Sequence, residues 1–129
     1  MERVRKRLQM KLYRFDKQNE QNNIWLKRYN DVIRAYENNT LKLVNESSKK
    51  TLHHIIPRSV NIMLSNDEHN HIWLPFYEHA MMHYYLWKYD KKYARQLWFI
   101  AVYGRKNKLW DFPEGNIEYE QLKQDLRRQ

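Results

Sequence analysis

The chain contains no cysteine, only two glycines and only three prolines. Without cysteine there is no disulfide framework and no thiolate zinc site. Scarce glycine and proline argue against a loop-rich all-β fold. No apolar run approaches the roughly 20 residues of a membrane span. The basic start, Met1 to Arg7, is not followed by the apolar core of a signal peptide. The expectation is a soluble, cytoplasmic protein with no membrane-spanning role. Acidic side chains are also in deficit, 15 against 24 lysines and arginines, for a net charge of +9 and a pI near 9.7. A folded chain this basic meets something acidic, nucleic acid before an anionic lipid surface, unless the charge serves solubility alone.

What is present is an apolar set at helical spacing. Hydrophobic residues fill 42% of the 129 positions and aromatics 15%, enough for one core and too short for two. The chain divides into a basic helical N-terminal extension over 1–50, a central core over 51–104, and a basic loop and helix over 105–129, together one compact unit. Val4, Leu8, Leu12 and Phe15 form the apolar stripe of a helix from Glu2 to Gln18. Its basic residues are either a solvated face or a face laid along a phosphate backbone. Lys17 to Asn23 is a turn or a continuation of that helix. A second helix is predicted from Trp25 to Glu37, burying Tyr29, Val32, Ile33 and Tyr36 and stopped by Asn38-Asn39-Thr40.

Thr51 to Ile56 reads as a short strand closed by Pro57, and His71 to Leu74 as another. Phe76 to Lys88 reads as a helix with Pro75 in its first turn. Asp90 caps a helix from Lys91 to Tyr103 that Gly104 ends, and a polar helix covers Ile117 to Arg127. The fold class expected is α+β, mainly helical, with a short two-stranded sheet and flanking helices. The aromatics Tyr84, Tyr85, Trp87, Trp98 and Tyr103, mostly at helical spacing, read as core packing.

All six histidines (His53, His54, His69, His71, His79 and His83) fall between His53 and His83. His79 and His83 are four apart and share one helix face. Such a pair is a common way to hold a divalent metal, although alone it is more often a plain surface feature. His53-His54 shifts that balance. A strand sends neighbouring side chains to opposite sides. One imidazole completes a three-histidine metal site, and the other stands beside the metal unligated. A neutral imidazole so placed is a general base. Three protein ligands leave positions open for water and substrate, as a catalytic site needs.

These segments resemble the HNH endonucleases, in particular the small phage-type homing enzymes. The resemblance is carried by His53-His54-Ile55-Ile56-Pro57-Arg58-Ser59, then Asn70-His71-Ile72-Trp73-Leu74, then Glu78-His79-Ala80-Met81-Met82-His83. Upstream, Tyr29-Asn30-Asp31-Val32-Ile33 is similar to a segment that often precedes the motif. About residues 28 to 104 are covered. The resemblance implies a ββα-metal core, with His53, His79 and His83 as ligands of one divalent ion and His54 as general base. Asn70 braces the loop that holds His54, Glu78 supports the ligands, and Arg58 meets a phosphate. It further implies double-stranded DNA as partner, 5′-phosphate and 3′-hydroxyl products, a monomer or homodimer, and a bacterial or phage-infected cytoplasm. The metal is zinc, manganese or magnesium; three imidazoles favour the first two. A neutral base predicts activity that falls below about pH 6.5, a limit that the metal's charge lowers.

The sequence departs from the family in three places. Val60-Asn61-Ile62-Met63-Leu64-Ser65 replaces a Gly-Gly-Ser turn, His71 stands where the family has an aliphatic residue, and Pro75 where it has a capping Thr or Ser. His69 and His71 are expected to be bystanders. Further phosphate contacts are expected from Arg3, Arg5, Lys6, Arg7, Arg105, Lys106 and Lys108. Three other readings stay open: a DNA-binding protein with a structural metal, an RNA-cutting or toxin nuclease, and a basic helical interaction protein with no metal.

Overall fold

A computed structural model describes residues 11–106 and 116–127. The fold is α+β and mainly helical. A short helix-like turn over Lys17–Asn22 leads into α1 (Ile24–Glu37). β1 (Lys50–His54) pairs antiparallel with β2 (His71–Pro75), and α2 (Phe76–Tyr89) follows directly. α3 (Ala94–Lys106) and α4 (Asn116–Arg127) complete the described chain. No helix among the described residues is long and apolar enough to cross a membrane.

The elements begin and end for local reasons. The Asn23 side chain accepts from the Trp25 and Leu26 backbone N–H groups, the capping that an asparagine before a helix supplies. At the far end, Asn39 takes a left-handed conformation (φ 60°), which asparagine tolerates, and α1 stops where Asn38-Asn39-Thr40 predicts. β1 ends at His54 rather than Ile56, because the Ile55 and Ile56 N–H groups turn to the backbone and side-chain oxygens of Asn70. The Asp90 side chain caps only a short turn, Lys91–Tyr93, before α3 starts at Ala94. Gly104 does not end that helix; it is buried within it, where a missing side chain serves packing.

The largest correction concerns the N-terminal segment. Of the helix expected from Glu2 to Gln18, the part up to Met10, with Val4 and Leu8, lies outside the described residues, and residues 11–16 are not helical. Their backbone donors go to distant partners: Leu12 to the Glu37 carboxylate, Tyr13 to the His69 carbonyl, and Phe15 to the Asn30 side chain. Asn30, fully buried, returns a bond to the Phe15 carbonyl. These tertiary bonds replace the i→i−4 ladder that a helix needs. Leu12 and Phe15 are still buried, as their apolar character requires.

α2 sits at the centre. It sends Met82 and Leu86 into a cluster with Tyr29, Ile33, Ile55, Ile72 and Leu74. On its other side Ala80, Tyr84 and Trp87 meet Leu97 of α3 and Leu122 of α4. A helix apolar on two sides is fixed in rotation as well as position. Its remaining stripe, which carries His79 and His83, is thereby aimed at β1.

Candidate metal centre

The strand register fixes the first histidine. His53 lies opposite Ile72, faces the interior and is 1% exposed. One ring nitrogen of each of His53, His79 and His83 lies within 4.8 Å of those of the other two. The ring centroids are 4.9 to 5.1 Å apart. No other group of three such side chains occurs among the described residues.

Hydrogen bonds select the nitrogens. The Tyr29 hydroxyl donates to the Ile55 carbonyl at 2.6 Å and lies 2.7 Å from His53 Nε2. Its proton is committed to the carbonyl, so His53 must donate Nε2–H to it. The His53 lone pair is therefore on Nδ1, which is buried and has no hydrogen-bond partner. A buried nitrogen without a partner is costly unless something absent from the chain takes its lone pair. Thr51 repeats the device: its hydroxyl donates to the Leu74 carbonyl at 3.3 Å and lies 2.7 Å from His79 Nδ1. Nε2 of His79 is left free. His83 has no such anchor, and its Nδ1 is likewise buried without a partner.

The three rings are neutral. Burial, then the charges of His83, His79 and His54, push His53 well below the usual histidine value. Burial first and the neighbouring histidines second bring His83 to about 3. Burial and His54 bring His79 to about 4. Neutral imidazoles with free lone pairs suit a divalent ion of the zinc or manganese kind.

His54 points away from His53 but borders the same cleft. It lies opposite His71 in the ladder, and both donate Nε2–H to the Ser65 carbonyl, at 3.1 and 2.7 Å. Nδ1 of His54 is thus the atom that carries the lone pair. Burial is the largest influence on His54 and lowers its pKa. The Ser65 carbonyl raises it in part, and the charges of His71 and Arg58 add to the lowering. Asn70, fully buried, accepts from Ile56 N–H at 2.8 Å and donates to the Ile56 and Leu64 carbonyls at 3.1 and 3.3 Å. It ties the chain after His54 to the segment that ends in Ser65, whose carbonyl holds His54.

The chain matches no family model, no curated protein and no solved structure. The functional reading therefore rests on this geometry.

The remaining residues singled out in the sequence are dispersed. Glu78 is 7% exposed; one carboxylate oxygen accepts from Val44 N–H at 2.8 Å and the other is buried without a partner. Arg58 is exposed at the rim of the cleft, and Lys106 is exposed at the end of α3. Arg105 is in α3. Arg3, Arg5, Lys6, Arg7 and Lys108 lie outside the described residues. His69 holds the Lys11 carbonyl, an architectural task. Sequence reasoning missed Tyr29, Thr51 and Ser65 as site residues. The only signal was their register: Thr51 two before His53 on one strand face, and Tyr29 in the segment upstream of the motif.

Proposed function

We propose that the protein is a metal-dependent endonuclease of the HNH kind that hydrolyses phosphodiester bonds in DNA. The observation that carries the reading is His54. Its Nε2–H is fixed on the Ser65 carbonyl, which leaves the lone pair on Nδ1, and the residue lines the cleft that His79 and His83 also line. A purely structural metal site has no need of such a base.

His53, through Nδ1, together with His79 and His83 would hold a divalent cation. When bound, such an ion offsets the negative charge that builds on a phosphate as a P–O bond breaks. His54 Nδ1 takes the proton of the attacking water. The Arg58 guanidinium at the rim meets a phosphate oxygen of the strand. Asn70 and Ser65 keep the His54 ring from turning. The net charge of +9 supplies salt-dependent affinity for the backbone.

The test is supercoiled plasmid incubated with Mn²⁺, Mg²⁺ or Zn²⁺, beside a His54→Ala variant. Nicking that requires metal, and is lost in the variant while metal affinity persists, supports the reading. Metal binding without cutting of any DNA would sink it in favour of a structural metal in a DNA-binding protein.

A further inference from the structure

Helix α3 has two unlike faces. Ala94, Leu97 and Ala101 are fully buried in the cluster shared with α2 and α4. Gln96, Phe99, Ile100 and Tyr103 sit at i, i+3, i+4 and i+7 on the opposite side. That side walls the cleft across from His54, His79 and His83. Phe99 and Tyr103 are 59% and 57% exposed. The core-packing expectation for Tyr103 is therefore not met, whereas Tyr84 and Trp87 are buried as expected. Two large aromatics one helical turn apart, each more than half exposed beside a histidine cluster, with Tyr103 also set against the Phe76 ring at 6.0 Å between centroids, are the composition of a binding wall rather than of a core.

We propose that this face of α3 is a platform for a nucleobase. The cleft takes one unpaired nucleotide beside the scissile phosphate, its base against Phe99 and Tyr103. The preferred substrate is accordingly DNA that is single-stranded or locally opened at the cut. The inference rests on the nuclease reading for the identity of the occupant.

Size, charge and chemistry agree on that occupant. The cleft holds about 360 Å³, near the lower end of the ~300–1,000 Å³ of small-molecule sites. It accommodates a group of nucleotide size and not a duplex. Arg58, which also lines the cleft, suits the phosphate. The rings suit the base, since every base has a π-face. Gln96 brings an amide with both donors and an acceptor to the same wall, suited to a base edge.

The experiment uses full-length His54→Ala protein with Mn²⁺, which should bind DNA without cutting it. Fluorescence anisotropy compares a labelled duplex carrying one unpaired nucleotide with its fully paired counterpart. The expected result is roughly tenfold tighter binding of the unpaired form, the scale of one base–aromatic stack. Phe99→Leu with Tyr103→Leu should bring the ratio close to one. Phe99→Trp with Tyr103→Phe should keep it. A metal titration of each variant checks that the fold persists, and where the leucine variant fails it, the parent ratio and the aromatic-retaining variant decide. Equal affinity for the two DNAs overturns the platform. So does a ratio that survives both leucines, or self-association lost on those substitutions, which would assign the face to a second copy. Because the readout is binding, the two proposals fail separately. A wild type that cuts paired plasmid with no preference keeps the nuclease and loses the platform. A preference without any cutting does the reverse.

Discussion

The Tyr29 hydroxyl lies 2.7 Å from Nε2 of His53 and 2.6 Å from the Ile55 carbonyl, joining α1 to the end of β1 through one oxygen. The contact orients the His53 ring and fixes which nitrogen holds the proton. A partner of this kind on a ligating histidine is typically worth about 10- to 100-fold in metal affinity. Tyr29→Phe keeps the ring in the core and removes only the oxygen. We expect Zn²⁺ affinity, read by competition with a chromophoric chelator, to drop by about that factor. Stability should fall by about 1–3 kcal/mol, because the Ile55 carbonyl and the His53 N–H lose a buried partner. Unchanged affinity would mean that Tyr29 is only a core residue.

Thr51 plays the same part for His79. It is largely exposed at its strand position, so its removal should spare the fold. Thr51→Val keeps the β-branched shape and deletes the hydroxyl, whereas Thr51→Ser retains it. The prediction is a loss of about tenfold or more in Zn²⁺ affinity for valine and near-complete retention for serine. Equal behaviour of the two variants would remove Thr51 from the site.

How much of this was legible in the sequence varies with the kind of interaction. The order strand, loop, strand, helix was visible, because hydrophobic period and turn residues are local signals. Burial of Tyr29 and Ile33 followed from the same periodicity. The i, i+4 pair and the strand alternation pointed to one imidazole of His53-His54 joining His79 and His83, and the choice of His53 came from the resemblance alone. The segment around Leu12 and Phe15 was not. Its apolar spacing fits a helix, yet Asn30, Glu37 and His69 capture its backbone donors, and tertiary capture has no local trace. The hydroxyl anchors Tyr29 and Thr51 were hidden for the same reason. His71, a bystander to the metal by expectation, is brought by the strand register to the Ser65 carbonyl beside His54.

Asn70 offers a way to separate positioning from metal binding. Its amide both donates and accepts, and a carboxylate in its place would confront the Ile56 and Leu64 carbonyls with no proton to give. Asn70→Asp should therefore destabilise the protein by several kcal/mol in a urea melt, on the scale of a few lost buried hydrogen bonds. Plasmid nicking should fall far more than Zn²⁺ affinity, because Asn70 braces the His54 loop and touches none of the three clustered histidines. Parallel losses in nicking and metal affinity would contradict that division of labour.

Metal removal should register in the fold itself. The buried Nδ1 atoms of His53 and His83 have no partner without an ion, and an ion that binds only the folded chain stabilises it by mass action. At a free concentration 100 times the dissociation constant the gain is about 2.7 kcal/mol. A thermal melt in EDTA and again with excess Zn²⁺ should show a clear rise in Tm for the wild type and a much smaller one for His83→Ala. A wild-type Tm indifferent to every divalent ion would argue that the cluster holds none.

Tyr89 and Asp16 give a pH test outside the site. The Tyr89 hydroxyl donates to the Asp16 carboxylate and ties α2 to the non-helical N-terminal segment. This bond, with burial and then the Asp16 charge behind it, holds Tyr89 up at about 12. The same bond, ahead of Asn19, lowers Asp16. On the alkaline side the folded value lies above the unfolded value of about 10. The contribution is therefore full below about pH 10 and disappears as pH rises through about 12. On the acid side the folded carboxyl lies below its unfolded value of about 3.9. There the contribution is full above that value and is lost as pH falls through the folded one. Tyr93, also raised to about 12, chiefly by its own burial, is present in both proteins and largely cancels from a comparison. The difference in Tm between wild type and Tyr89→Phe should thus form a plateau from about pH 5 to about pH 9 and close at both ends. A difference constant across the whole range would show that the variant loses packing and not this hydrogen bond.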